Sequence, residues 1–308
     1  MLLARGDVFG ITIMQTKVGW LLAGSSMLLA LLSNNASAKG PHDAPPPTYA
    51  CYRIPTAVTV DGKLSEAFWK DVPKMQFGEL AHGGPPWFDC YCKAVWDDKY
   101  LYIAFWGADP DVVASVGRDA ERLPEELPLK KRSNGVDIGP SFDGLPFIML
   151  HDPLFMVFID PDADGKNYAE FHINALNNVN DWWFEQGSTS REFQNLDCGK
   201  KNMHLVWDCA GLQHAVCIYG TLNDSADTDV GWSVELAIPF RSLKQFTRGS
   251  IPPKPGDTWA THAGWEYRPG IDKPRIYWTW PVIGVLDDHQ LWRYGKLVFS
   301  DRPNYSSK

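Results

Sequence analysis

Six polar side chains occupy alternate positions in two β-like segments, residues 168–174 and 258–268. Because successive side chains of a strand point to opposite faces, each segment places three of them on one face. Such faces offer donors and acceptors to a hydroxyl-rich ligand, or satisfy each other in a buried polar network, and both interpretations remain open. The candidate ligand-binding residues are Glu170, His172, Asn174, His262, Glu266 and Arg268.

Tryptophan is the second residue type that could bind a ligand, since the chain has 14 Trp beside 11 Tyr and 15 Phe. The C–H face of a sugar packs on an aromatic ring, although core packing is the alternative for any one of them. Trp278 and Trp280 share a strand face, as a two-ring platform requires, and only one of the adjacent Trp182 and Trp183 can face inward. The predicted stacking residues are Trp183, Trp278, Trp280 and Trp292.

An acidic turn, Asp160-x-Asp162-x-Asp164-Gly165, suggests a metal site. Calcium prefers such oxygen ligands, and the spacing matches the first half of an EF-hand loop. Position twelve of that loop is Phe171 instead of Glu, which excludes an EF-hand. The sequence predicts either another kind of calcium site or a solvated turn.

Two further chemistries use the same polar residues. Imidazole and carboxylate groups of Glu170, His172, His262 and Glu266 suit a transition metal, although no compact metal motif supports this. A pair of carboxylates in one cleft could hydrolyse a glycoside. No G-x-S-x-G, H-E-x-x-H, P-loop or dinucleotide motif occurs, so no catalytic residue is predicted.

Short β-rich runs separated by turn residues must position these side chains. They favour an all-β fold, a β-sandwich with short helices and long loops. Short helices are expected at residues 65–70, with Ser65 as N-cap, and after Pro239, while residues 118–143 form a long polar excursion. Strands are predicted at residues 57–60, 91–96, 100–108, 154–160, 168–174, 213–219, 232–238, 258–267, 277–280 and 295–299.

The composition excludes several classes of protein. Of the 308 residues, 44% are hydrophobic and 21% charged, which is too apolar for a disordered chain. The net charge of −8 argues against a nucleic-acid-binding protein, because such proteins usually carry a basic surface.

The N-terminus has the pattern of a secretory signal peptide. Lys17 precedes an apolar run at residues 18–32, and Ala36-Ser37-Ala38 follows it. We expect cleavage after Ala38 and a secreted or periplasmic protein without a membrane span. The alternative is an uncleaved N-terminal anchor. A start at Met14 instead of Met1 would give a conventional short positive region that ends at Lys17. The remaining boundaries are a Pro-rich tether at 39–50, a domain at 51–300 and a tail at 301–308.

Six cysteines agree with export, because an oxidising compartment favours disulfides. Up to three bridges are expected, with at least one among Cys198, Cys209 and Cys217. Cys90 and Cys92 share a face if they lie in a strand, so they would bond to different partners. A fully reduced set is the alternative.

An ordered set of motifs resembles the family 9 carbohydrate-binding modules from about residue 52 to 300. The resemblance implies a two-sheet antiparallel β-sandwich, often with structural calcium, that binds a plant-type poly- or oligosaccharide such as cellulose or xylan by aromatic stacking. The motifs are VDGKLSEAFW (60–69), AVWDDKYLYIAF (94–105), DPD (109–111), VFIDPDADG (157–165), YAEFHINA (168–175), GWSVELAIP (231–239), PGDTW (255–259) and RYGKLVF (293–299).

The chain departs from that family's sugar clamp. Leu150 and Met156 stand where the family has a Trp and a carboxylate, and His172 replaces an Arg. The second aromatic platform falls at residues 288–292, where Asp288 takes its place and Trp292 is displaced. A haem-binding relative of the fold uses Met and His ligands, for which Met156 and His172 are the counterparts. The sequence predicts an exported, non-catalytic carbohydrate-binding protein, with a glycan-active enzyme or a haem module as alternatives.

Overall fold

The computed structural model describes residues 45–115, 129–131, 137–140, 152–187, 203–204, 207–269 and 274–301. Helices are short: an α-helix at Phe240–Leu243 and 3₁₀ turns at Ala67–Lys70, Lys244–Phe246 and Leu291–Arg293. The strands of these residues are β1 Thr48–Arg53, β2 Met75–Gln76, β3 Gly78–Glu79, β4 Cys90–Trp96, β5 Tyr100–Gly107, β6 Leu129–Lys131, β7 Asp137–Pro140, β8 Leu154–Asp160, β9 Lys166–Asn174, β10 Val179–Gln186, β11 Met203–His204, β12 Gln213–Tyr219, β13 Gly231–Pro239, β14 Thr258–Tyr267, β15 Ile276–Trp280 and β16 Gly295–Ser300.

Local sequence explains the clearest of these strands. All seven residues of β8 are buried, as its uninterrupted apolar run predicts for a central strand, and it pairs with β9 and β14. The β4–β5 hairpin turns at Asp97, whose carboxylate accepts hydrogen bonds from the backbone N–H groups of Lys99 and Tyr100 at 2.7 and 2.8 Å. An Asp side chain that bonds its own backbone two or three residues on is a turn-forming device.

One long sheet contains fourteen of the strands, and β6 and β7 form a separate pair. Its main path runs β11-β10-β9-β8-β14-β16-β1-β4-β5-β13-β12. Most neighbours are antiparallel, but β1 runs parallel to both β16 and β4. The expectation of purely antiparallel sheets was therefore wrong at this point, because β1 enters between two strands that run in its own direction.

The two halves of this sheet pack face to face, which makes the β-sandwich. Phe105 on β5 stacks on Phe155 of β8 with ring centroids 4.4 Å apart. Trp265 on β14 contacts Phe105 and also Trp232 on β13. This aromatic interior is the main core, and it separates the two sheet halves.

Three local predictions were wrong. Residues 57–60 form no strand; Val58 instead packs in a small cluster around Trp69. Ser65 is not an N-cap, because the first turn begins after Glu66 and has no side-chain cap. The tether ends before Thr48, since β1 already pairs with β16 and Tyr49 is buried.

The cysteines of the described residues are free thiols: Cys51, Cys90, Cys92, Cys209 and Cys217. The expected disulfides are thus not formed among these five, and Cys198 lies outside the described residues. Burial raises the pKa of Cys51 well above its usual value and that of Cys209 to about 12, so these thiols stay protonated.

The predicted signal peptide, residues 1–38, also lies outside the described residues. In the part of the chain that the structure describes, no helix is long and apolar enough to cross a membrane.

Candidate functional site

The two polar strand faces lie on the same side of one sheet, with β8 between them. In the register, Met156 is paired with His172 on β9 and with Gly264 on β14. One step along, Phe158 is paired with Glu170 and His262. The alternation predicted from the sequence therefore brings the His and Glu side chains of both strands to one surface.

That surface is buried. All six polar candidates are at most 9% exposed, and Asn174 and His262 are fully buried. Residues 281–294, which we call the strap, follow β15 and cover the surface. Ile283, Leu291 and Tyr294 of the strap belong to one apolar cluster with Met156 and Phe158 of β8. The predicted ligand residues thus lie beneath a loop rather than in an open groove.

Polar contacts fix the strap to the sheet. His262 Nε2 lies 2.8 Å from Asp288 Oδ1, and the ring of Tyr294 stacks on His262 at 5.3 Å. The Tyr294 hydroxyl donates to the backbone carbonyl of Asp288 at 2.8 Å, and the Tyr168 hydroxyl is 2.6 Å from His289 Nδ1. Asp288 and His289 are therefore strap residues that hydrogen-bond to side chains of the polar surface.

The buried polar groups also pair with each other. His172 Nε2 is 2.8 Å from Glu170 Oε1, and the Asn174 side chain donates to Asp152 at 2.9 Å. On this surface, Glu170 Oε2, His172 Nδ1 and His262 Nδ1 are buried atoms that have no hydrogen-bond partner among the described residues. Such a group costs about 1–3 kcal/mol when left unsatisfied. The surface therefore keeps hydrogen-bonding capacity that these protein groups do not use.

Glu266 is a buried carboxyl of this surface whose pKa is shifted far from its ordinary value. Its Oε1 lies 2.8 Å from Arg275 Nε and 3.8 Å from Arg268. Burial raises the pKa of Glu266 to about 8, against the two guanidinium groups, which lower it, while Asp288 and Glu170 raise it further. Burial outweighs the ion pairs here because removing a carboxylate from water disfavours its charged form.

The predicted aromatic platform faces the other way. Trp278 is paired with Trp265 and Trp280 with Ala263, so both rings point to the sandwich core. They share a face as predicted, but Trp278 is only 1% exposed. Trp183 also packs against this core and stacks on His204 at 3.8 Å. The structure does not bring these three rings to the polar surface.

Two indoles of the described residues are strongly exposed. Trp292 in the strap is 51% exposed and was a predicted stacking residue. Trp87, between β3 and β4, is 64% exposed, and no sequence pattern assigned it a role. The only local cue is the Gly83-Gly84-Pro85-Pro86 turn that precedes it. Trp182, by contrast, is buried with its ring edge-on to His172 at 5.2 Å.

The acidic turn brings three carboxylates close together. One ligand atom from each of Asp160, Asp162 and Asp164 lies within 4.8 Å of the others, the only such group of His, Cys, Asp or Glu in the described residues. Burial raises the pKa of Asp160 to about 7, and its neighbours Asp162 and Asp164 add to the rise. Three convergent carboxylates fit a hard cation such as calcium.

The haem and transition-metal alternatives involve residues of the same polar surface. Met156 is 2% exposed, and its methyl carbon lies close to Gly264 on β14. Among the described residues, the His and Glu side chains of the polar surface form no cluster of three ligand atoms.

Comparison with known proteins defines the class of fold. No protein-family model and no curated protein matches the chain. A protein of Bacteroides uniformis ATCC 8492, proposed to bind carbohydrate, is 12% identical, with a TM-score of 0.51 over 83% of this chain and all of the other. The predicted β-sandwich fold is thereby confirmed.

Two structures of a family 9 carbohydrate-binding module of Caldicellulosiruptor kristjanssonii are also similar. The complex with cellotriose is 12% identical, with a TM-score of 0.47 over 85% of this chain and 97% of the other. The complex with glucose is 11% identical, with a TM-score of 0.48 over 84% and 98%.

Proposed function

We propose that this chain is an exported, non-catalytic carbohydrate-binding protein whose principal stacking residue is Trp292. The observation that carries the proposal is a half-exposed indole on a loop that is fastened to a buried polar surface. An indole left in water gains contact area when a sugar's C–H face covers it. Export rests on the signal-peptide pattern and cleavage after Ala38.

The ring of Trp292 is held in place by its neighbours. Its indole N–H donates to Gln290 Oε1 at 2.8 Å, and the Gln290 amide donates to Asp287 Oδ2 at 2.6 Å. The guanidinium carbon of Arg293 lies 5.3 Å from the ring centroid. A ring already fixed loses little conformational entropy when it binds, which favours affinity.

The buried polar residues support this site in the proposal. His262 fixes Asp288, and the Glu170–His172 and Glu266–Arg275 pairs fill the surface on which the strap rests. Their effect on a sugar passes through the strap. Plant-type polysaccharides, expected from the sequence resemblance, are the first ligands to test.

A glycan array with the protein from residue 39 onward tests the proposal. Wild type is expected to bind one glycan class, and Trp292→Ala to bind it roughly 10- to 100-fold more weakly, as for loss of one stacking ring. Tyr219→Ala, which removes another exposed aromatic ring, is the control. A blank array for folded wild type contradicts the proposal.

The enzyme alternative is distinguished by turnover of the same glycans. Release of reducing ends by wild type, lost in His172→Ala, would replace the binding module with a glycan-active enzyme. Binding without such release supports a module.

We also propose that calcium binds Asp160, Asp162 and Asp164 as a structural ion. Calcium at about 100 times its Kd is expected to stabilise the folded protein by about 2.7 kcal/mol. The shift is measured as the melting temperature in calcium against EDTA. Asp164→Asn, at an exposed position, should reduce the shift while leaving the EDTA melting temperature nearly unchanged. Equal melting temperatures in calcium and EDTA would leave the solvated turn as the better interpretation.

A further inference from the structure

Trp87 is the most exposed aromatic side chain of the described residues, and its ring is supported from inside the protein. It stands edge-on to Trp278, with ring centroids 5.9 Å apart and planes at 67°. Tyr267 contacts it in the same way, at 6.3 Å and 78°. Because Tyr267 and Trp278 stack on each other at 5.1 Å, the indole rests on a rigid base. Edge-on support leaves ring-face area open to solvent.

Backbone hydrogen bonds anchor the loop on both sides of Trp87. On one side, Glu79 N–H donates to Gly84 O at 2.7 Å and Gly83 N–H to Glu79 O at 2.8 Å. On the other, Ala108 N–H donates to Asp89 O at 2.9 Å. Two prolines directly before the indole restrict the backbone further. The direction of the ring is thus set before any ligand arrives.

The loop that carries Trp87 is a neighbour of the strap that carries Trp292. Gly284 N–H of the strap donates to Leu80 O at 2.8 Å, and Leu80 and Ile283 share one apolar cluster. The two most exposed indoles of the described residues therefore stand on loops that are joined by this hydrogen bond and by shared apolar packing.

The loop that carries Trp87 also bears charged side chains. Exposed His82 pairs with Glu79 at 2.9 Å, and Asp89 is exposed beside Lys74 at 3.6 Å. A protein partner needs a contact of roughly 1,200 Å² or more with a well-packed core, for which one ring in a charged setting is poorly suited. A sugar unit needs one ring face for its C–H groups and nearby carboxylates for its hydroxyls.

We propose that Trp87 is a second stacking position for a carbohydrate, so that the protein binds several sugar units of one chain rather than a single terminal unit. The inference rests on the proposed function and names its substrate class: oligosaccharides or polysaccharides. Ligands long enough to reach both loops gain the contact with Trp87, and short ones do not.

An array that carries plant-type glycans as disaccharides and as hexasaccharides tests this. Trp87→Ala is expected to weaken binding of the hexasaccharide roughly tenfold or more and leave the disaccharide unchanged, since one stacking contact is lost. Trp292→Ala should weaken both. Trp87→Phe, which keeps a ring on the same base, should recover part of the loss and guards against a folding defect.

The outcomes separate the two proposals. If wild type binds and Trp87→Ala matches Tyr219→Ala at both lengths, the second position is overturned while the carbohydrate-binding function stands. Equal losses for disaccharide and hexasaccharide would assign Trp87 to the site of the terminal sugar and overturn the chain-length inference. A blank for folded wild type overturns both proposals.

Discussion

Trp265→Ala is expected to lower the free energy of unfolding by about 3–5 kcal/mol, the usual range for removing a large buried aromatic. Trp265 is fully buried at the centre of β14. Its ring lies 5.0 Å from Tyr267 and 5.4 Å from Trp278, and it also contacts Phe105 on the opposing sheet half. The change would open a cavity where the halves meet, and neighbouring rings cannot fill it without leaving their own contacts. Urea denaturation measures the loss.

Trp292→Ala is the matched comparison, because it removes the same side chain from an exposed position. Its unfolding free energy should stay within about 0.5 kcal/mol of wild type. Similar losses in both variants would contradict the division of the tryptophans into core and surface groups. That division accounts for the unusual Trp content: most indoles of the described residues fill the sandwich, and two remain in water.

Glu266→Gln is expected to flatten the dependence of stability on pH. The pKa of Glu266 is raised from its ordinary 4.5 to about 8 in the folded protein, so the folded state holds this proton more tightly than the unfolded state. The contribution to stability is present in full below about pH 4.5 and is lost as pH rises to about 8, by at most about 1.4 kcal/mol per pH unit. Gln has no proton to lose, which removes this slope.

Melting curves in EDTA between pH 4 and 8.5 measure the effect. Burial also raises the pKa of Asp160 to about 7, so Asp160→Asn should flatten the curve only below that pH. The change in melting temperature between pH 7 and 8 then reports the titration of Glu266. A Glu266→Gln curve parallel to wild type across the whole range would show that Arg275 and Arg268 keep the carboxylate charged.

Periodicity in the sequence predicts where strands lie and which side chains share a face. The bounds of β8 follow from its apolar run, and alternation places Glu170, His172 and Asn174 on one face. Alternation also places Trp278 and Trp280 together, but cannot say which side of the sheet they occupy. Pairing of Trp278 with Trp265 decides this, and such register depends on the whole sheet.

The strap could not be predicted, because an irregular loop has no repeating pattern. Its contacts, His262 with Asp288 and Tyr168 with His289, join residues 26 and 121 positions apart. For the same reason the exposure of Trp87 has no sequence signal beyond the Pro-Pro turn. The difference between an open groove and a covered surface therefore rests on loop packing alone.

The parallel pairing of β1 with β16 has a consequence for the order of folding. Thr48–Arg53 is made early during synthesis, while Gly295–Ser300 leaves the ribosome some 240 residues later. The seam of the sheet, β4-β1-β16, stays incomplete until Gly295–Ser300 has been released. Non-local pairing of this kind delays folding. The first strand of the sheet is therefore among the last to gain both of its neighbours, so the sheet cannot be completed while the chain is still being synthesised.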